Sequence, residues 1–598
     1  MKRRFLILLT TLLPLVASAQ DAEIDGIFYN FNGDEAEVTC DDVEYSRYED
    51  DVVVPESVTY KGKTYKVTAV GDFAFGDCWS MTSCTLPKGI TRIGAMAFEW
   101  CSYLTTLIIP ESVTTIGDAA FNGSGLTSIF IPKNVTSIGT EAFSDCTDLE
   151  SIKVDAANKV FDSRGDCDAI IETATNRLIA GCNGTVIPED VTCIGEYAFA
   201  GSGIETLFIP KNVTTIAKNA FYCFYNYLES IAVDADNKVF DSRNDCNAII
   251  ETATKKLIFG CKNTVIPNGV TSIERAAFHG CEFTSIDIPE TVTNIGDLAF
   301  EWCWKMTEVN LPKSLKEIGE RAFESCEKLK SITLPEGLTS IGANAFTRCT
   351  NITEIVIPKS VTSLGKTPFL QCHRLNSIKV EEGNTVYDSR NDCNAIIETA
   401  TNRLIEGCNG TVIPEDVTSI AAYSFFDCRS LASLTIPKDV TLIEEGAIFY
   451  CDVLTSITIP EGVTAINYRG IYSCSELEWV SIPSTVTSIG EEVLADCESL
   501  KDVYCYAKQV PETGEDVFDN TPIEEATLHV PADAIEAYRT TAPWSSFGTI
   551  VALTATPVER ISNKIEDDLT TYYDLQGRKV MNPTKGIYLK NGKKVLVK

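Results

Sequence analysis

Ile109-Pro-Glu-Ser-Val-Thr-Thr-Ile-Gly117 returns 22 residues later as Ile131-Pro-Lys-Asn-Val-Thr-Ser-Ile-Gly139. Each copy runs on as x-x-Ala-Phe-x-x-Cys-x-x-Leu-x-x-Ile-x-Ile-Pro. The Phe slot falls at Phe75, Phe98, Phe121, Phe143, Phe199, Phe221, Phe278, Phe300, Phe323, Phe346, Phe369 and Phe425. Three looser copies carry Ile448, Ile471 and Leu494 there. The 15 units follow one another at 22 or 23 residues, with three longer steps of 56 or 57. A fixed period of this length marks stacked supersecondary units.

One unit cannot bury its own apolar side. In Leu329-Lys-Ser-Ile332-Thr-Leu334-Pro335 the apolar residues alternate with period two, as in a half-buried strand, and Pro335 ends the hydrogen-bonded ladder. Val-Thr-x-Ile reads as a second short strand, and the Gly after it permits a tight turn. Ala-Phe opens a single helical or 3₁₀ turn too short to stand alone. Stacking joins the Ile, Leu, Val and Phe columns into one continuous core. The expected fold is a repeat solenoid, mainly β, of 22–23 residue units with β-hairpin inserts and short helical turns.

The inserts explain the long steps. They lie near 154–187, 233–266 and 380–413, and each contains Asp-Ser-Arg-x-Asp-Cys-x-Ala-Ile-Ile-Glu-Thr-Ala-Thr-x-x-Leu-Ile-x-Gly-Cys. Ala-Ile-Ile-Glu and Leu-Ile flank a polar centre, which reads as a hairpin. Cys167/Cys182, Cys246/Cys261 and Cys393/Cys408 stand 15 residues apart at the hairpin ends, as disulfides or as buried thiols. The Cys three residues after Phe recurs from Cys78 to Cys497, and Ser124 and Ser202 take the same slot. A slot open to Ser asks for a small side chain, and stacked parallel side chains lack disulfide geometry, so these are expected to be buried free thiols.

Composition narrows the function. With 84 acidic and 50 basic residues the net charge is −34, which opposes nucleic-acid binding. The histidines, His279, His373 and His529, show no metal-ligand spacing. There is no Gly-x-Ser-x-Gly elbow, Gly-rich phosphate loop or His-Glu-x-x-His. Asp234-Ala-Asp236-Asn-Lys-Val-Phe-Asp241 is faintly calcium-like but lacks the loop Gly and the final Glu. No catalytic residue, metal site or cofactor is expected.

The units between about Val70 and Leu500 strongly resemble the BspA-like leucine-rich repeat family of bacterial surface proteins. The resemblance implies a secreted or surface-displayed adhesin that binds host matrix or plasma proteins, or other bacteria. The alternatives are a passive structural envelope component and a glycan-binding protein. An enzyme is the remaining class, without a constellation to support it.

The ends bear on localisation. Lys2-Arg3-Arg4, an apolar run from Phe5 to Val16 and Ala17-Ser18-Ala19 form the three parts of a signal peptide over 1–19. Cleavage before Gln20 removes three positive charges and takes −34 to −37. No later run is apolar for the ~18 residues of a transmembrane helix. Residues 20–67 read as an N-terminal β cap, 68–550 as the solenoid with its inserts and C-terminal cap, and 551–571 as a linker. Segment 572–598 carries seven Lys/Arg against one Asp, with Asn591-Gly592 as a hairpin turn. It resembles a short type IX secretion sorting signal, the alternative being an ordinary terminal hairpin.

Two sets of residues are candidate ligand contacts. Arg164-Gly165-Asp166, an integrin-type tripeptide, sits in the first insert, where the other inserts read Arg243-Asn244-Asp245 and Arg390-Asn391-Asp392. Gly165 is also what a left-handed turn would select. In Ile-x-Ile the middle residue points outward. That column is mostly small or polar, but Ile108, Phe130 and Phe208 break the rule near the first insert. They are either exposed anchors for a protein ligand or are covered by the insert.

Overall fold

The computed structural model describes residues 20–40, 48–222 and 227–553, and the backbone of four strands further on, Tyr572–Tyr573, Lys579–Val580, Gly586–Lys590 and Lys593–Val597. The signal peptide 1–19 and the linker from 554 onward lie outside the described residues. Two compact units are formed, Met1–Glu327 and Lys328–Lys598.

In the first unit the chain starts as an antiparallel sheet. Ala22–Ile24, Ile27–Asn32 and Glu35–Thr39 form a meander, and Glu35–Thr39 pairs in parallel with Lys63–Val70. Lys63–Val70 then hands the ladder to Arg92–Ile93, Thr115–Ile116 and Ser137–Ile138, the Val-Thr-x-Ile strands of successive units. The cap thus supplies the first rung on which the coils stack. A second parallel ladder comes from Ile-x-Ile, as where Ile129 of Ser128–Ile131 lies against Ile152 of Ser151–Val154. Period-two burial holds even at the run quoted above: Ile332 and Leu334 are buried and Thr333 is exposed.

The Ala-Phe segment differs from expectation. It is a chain of tight turns, not a helical turn, with left-handed residues two before and, among the described residues, two after each Phe. Phe73 and Asp77 flank Phe75 at φ 56° and 58°, and Met96 and Trp100 flank Phe98 at 53° and 54°. Such residues cost roughly 1–2 kcal/mol each. The return is a third inter-coil ladder: Met96, Phe98 and Trp100 donate their N–H groups to Asp118, Ala120 and Asn122 of the next coil at 2.7–2.8 Å. The same turns aim every Phe inward. Phe75, Phe98, Phe121 and Phe143 stack at 5.1, 5.5 and 5.4 Å. Each buried ring contributes about 1.5–3 kcal/mol by transfer alone, enough to offset a left-handed neighbour.

The inserts are hairpins, as expected, and they alter the core. In the first, Ala169–Glu172 pairs antiparallel with Arg177–Gly181, which joins Cys193–Ile194 in parallel. One face of this hairpin, with Ile170, Ala180 and Cys182, packs on the coils before it. The other, with Ala169, Ile171 and Leu178, packs on the coils after it. The expected continuous core is therefore partitioned at the first insert. The hairpin also takes a place in the Phe column, since Phe259 of the second insert stacks on Phe221 at 4.7 Å. The corresponding residues are Ala180 and Glu406.

The second unit repeats the plan. Glu354–Ile357 pairs with Ser377–Val380, and the third insert joins Arg403–Glu406 to Ser419–Ile420. Five parallel strands close it, from Ser456–Thr458 to Thr549–Ala552, so the last coil extends through the first residues assigned above to the linker. The helix Ile535–Thr540 and Trp544 cover the end, with Tyr538 and Trp544 fully buried. Further on, Gly586–Lys590 and Lys593–Val597 form the hairpin expected around Asn591-Gly592.

Candidate functional site

Outward-facing residues follow directly from the Ile-x-Ile strand. Ile129 and Ile131 are buried while Phe130 between them is 52% exposed. Phe208 is 54% exposed between buried Leu207 and Ile209, and Ile108 reaches 86%. The first insert leaves both phenylalanine rings in solvent. Thr106 bridges to Ser128, so Ile108 lies in register with Phe130, and Phe130 lies beside Lys153. The Lys153 ammonium is turned toward the insert, 3.1 Å from Asp168. Thr85, Thr106, Ile108, Ser128 and Phe130 make this part of the face uncharged, in a chain of net charge −34.

Two further contributors escaped the sequence reading. Val53, on the cap strand Asp50–Val53, lies in register with Thr85 and is exposed. Each insert also ends in Val-Ile-Pro, which puts Val186, Val265 and Val412 at the outward position, and all three are exposed. The Ile-Pro mark was visible in the sequence, hidden only by the long step.

Arg164, Gly165 and Asp166 form a tight turn. Gly165 has φ 64°, and Asn244 and Asn391 reproduce it at 61° and 59°. The Arg164 guanidinium holds both carboxylate oxygens of Asp162, at 2.8 and 2.7 Å, and also bonds Asn176 and Asp190. Arg390 makes the same set with Asp388, Asn402 and Asp416. Arg164 is thus a clamp on its own insert, with its pKa raised by these carboxylates, while the Asp166 side chain is exposed.

Polar groups inside the coils are mostly structural. The insert cysteines are free thiols and buried, as are the repeat cysteines among the described residues. Cys101, Cys146 and Cys303 donate to the carbonyls of Phe75, Phe121 and Phe278 one coil back, each at 3.1 Å. Burial holds these thiols protonated, well above their ordinary range. His279 lies fully buried 2.8 Å from Glu301, and His529 meets Asp502 at 2.7 Å while stacking on Tyr504. Glu406 is buried at its Phe-column position with Oε2 unpaired, and desolvation raises its pKa strongly. Among the described residues no cluster of three or more His, Cys, Asp or Glu could hold a metal ion, and no helix is long and apolar enough to cross a membrane.

No curated protein matches the chain. Among solved structures, a leucine rich cell surface protein from Faecalibacterium prausnitzii is 19% identical, over 90% of this chain and 96% of that one, at a TM-score of 0.35. The pneumococcal vaccine antigen PcpA is 17% identical over 89% and 98%, at 0.33. A leucine-rich repeat protein from Bacteroides ovatus is 20% identical over 81% and 94%, at 0.25. Residues 68–164, 180–251, 258–376 and 408–538, well over half the sequence, match the BspA type leucine rich repeat region. With its repeat, its stacked Phe column and this match, the chain belongs to the BspA type leucine-rich repeat family.

Proposed function

We propose that the protein is exported and acts at the cell surface as a non-catalytic adhesin for a protein ligand, bound on the Ile-x-Ile face of the N-terminal coils. The observation that carries this reading is the exposure of Phe130 and Phe208 on a face of mostly small, uncharged residues, with Lys153 beside Phe130. Isolated exposed apolar residues are ordinary, but large ones repeated at one register position match the aromatic anchors of protein interfaces. Ile108, Val53 and Val186 extend the same row. The insert turn at Asp166 stands beside it, through Lys153.

The test is Phe130→Ser with Phe208→Ser, read by binding to immobilised matrix and plasma proteins and by thermal melting. At least a tenfold loss of adhesion with an unchanged Tm supports the reading, whereas undiminished adhesion overturns it. Export is tested separately. The mature protein should begin at Gln20, and removal of 572–598 should hold it inside the cell envelope.

A further inference from the structure

The first insert leaves a notch in front of its hairpin. In a regular coil the N–H groups of the Phe and of the residue two before it donate to the next coil, as Phe121 does to Ala142 and Ala119 to Thr140. At the insert, Gly181 takes the carbonyl of Ala198 at 2.7 Å. The N–H groups of Glu141 and Phe143 have no acceptor among the described residues. Both line a cavity of about 140 Å³ bounded by Arg177 and Ala180 on the hairpin and by Glu196 and Tyr197 on the next coil. A cavity of about 150 Å³ takes a ligand the size of benzene.

Two side chains of its lining have no partner among the described residues. The Ser144 hydroxyl is almost wholly buried, lines the cavity and has no hydrogen-bond partner. Arg177 makes no hydrogen bond or ion pair among the described residues, and its Nε is buried. In the other inserts the equivalent base has its carboxylate: Lys256 lies 3.3 Å from Glu274, and Arg403 grips Glu444 with two bonds of 2.8 and 2.7 Å. The place of Glu274 is Gly195 in the first insert. The second insert leaves an equivalent notch of about 230 Å³, lined by Asn219, Phe221, Tyr222 and Arg275, so the space recurs and its lining is what distinguishes the first insert. Where Ala180 stands, the second insert has a stacked Phe259, and the third has the carboxyl of Glu406.

The lining therefore has a donor set, made of Arg177, Ser144 and the two N–H groups. Glu141 and Glu196 supply an acceptor set. A simple anion would meet those two carboxylates, and a simple cation would meet Arg177. Left-handed turns that gather N–H groups are known concavities for carboxylate and phosphate oxygens, and Glu141 has φ 60°. We propose that this notch binds a small free amino acid, its α-carboxylate against Arg177, Ser144 and the N–H pair, and its ammonium toward Glu141 and Glu196. A notch of about 140 Å³ suits a small side chain such as that of glycine or alanine.

Calorimetric titration of the full chain with glycine, L-alanine, acetate and methylammonium tests this. The amino acids should bind at least tenfold more tightly than acetate or methylammonium. Arg177→Gln, and separately Ser144→Ala, should each weaken that binding at least tenfold without moving the Tm. No binding of either amino acid, acetate binding as tight as glycine, or affinity that survives the substitutions would overturn the assignment.

Discussion

The Cys326 thiol donates to the carbonyl oxygen of Phe300, 3.2 Å away in the preceding coil. The slot asks for a small side chain with a donor, but the Ser that share it bond elsewhere: Ser202 donates to the carbonyl of Phe199 in its own coil at 3.1 Å. At Ser124 the hydroxyl instead meets the Cys146 thiol at 3.3 Å. Cys326→Ser should lower stability by about 1–2 kcal/mol, because the shorter C–O bond draws a buried hydroxyl away from its acceptor. Denaturant melts measure this. Alkylation of the unreduced, denatured chain should label nearly all 23 cysteines.

Glu406 should make stability pH-dependent. Burial raises its pKa in the folded protein above the value of about 4.3 in an unfolded chain. The folded state therefore keeps a proton that the unfolded chain has lost, and its contribution is complete in acid. Stability should fall as pH rises from about 4.3 toward the folded value, by up to about 1.4 kcal/mol per pH unit. Glu406→Gln should remove this slope and be the more stable protein at pH 8. A parallel pH profile for the two proteins would refute this account.

Gly181 and Gly260 are fixed by close packing. A Cβ on Gly181 would lie 2.3 Å from Cε1 of Phe199, and one on Gly260 would lie 2.2 Å from Cε1 of Phe278. Each ring belongs to the Phe column of the coil that receives the hairpin. Gly181→Ala or Gly260→Ala should cost about 1–3 kcal/mol through overpacking, seen as a lower Tm.

The insert turn separates its charged residues by role. Arg164→Ala should cost about 1–3 kcal/mol, since it strands the half-buried Asp162 carboxylate. Asp166→Ala, on an exposed side chain, should leave the Tm within error. Any effect of Asp166→Ala on cell attachment would then report binding rather than folding.

The legible part of the fold was its periodic part. Val-Thr-x-Ile and Ile-x-Ile fixed both ladders and the burial of the Phe column, because each residue sees the same neighbours in every coil. The turns around Phe were misread because their left-handed positions carry Phe73, Trp100 and Leu298 rather than glycine. Inter-coil hydrogen bonds, not local preference, hold them there. The inserts were legible as hairpins but not as members of the stack. Nothing in Ala180, Phe259 and Glu406 as a set suggests a shared core position, and only the register of the hairpin reveals it. For the candidate face, Phe130 and Phe208 could be placed outward from sequence, but their exposure depended on where the insert folded.

The hairpin between two apolar clusters works as a bulkhead. Each of its faces belongs to a different apolar cluster, Ile170 and Ala180 to the coils before it and Ile171 and Leu178 to the coils after it. Stacked repeats hold together only through their neighbours, and an uninterrupted column would pass a local defect from coil to coil. A column sealed off at intervals confines the damage. A solenoid divided in this way can lose the order of a few coils while the rest keep their faces intact.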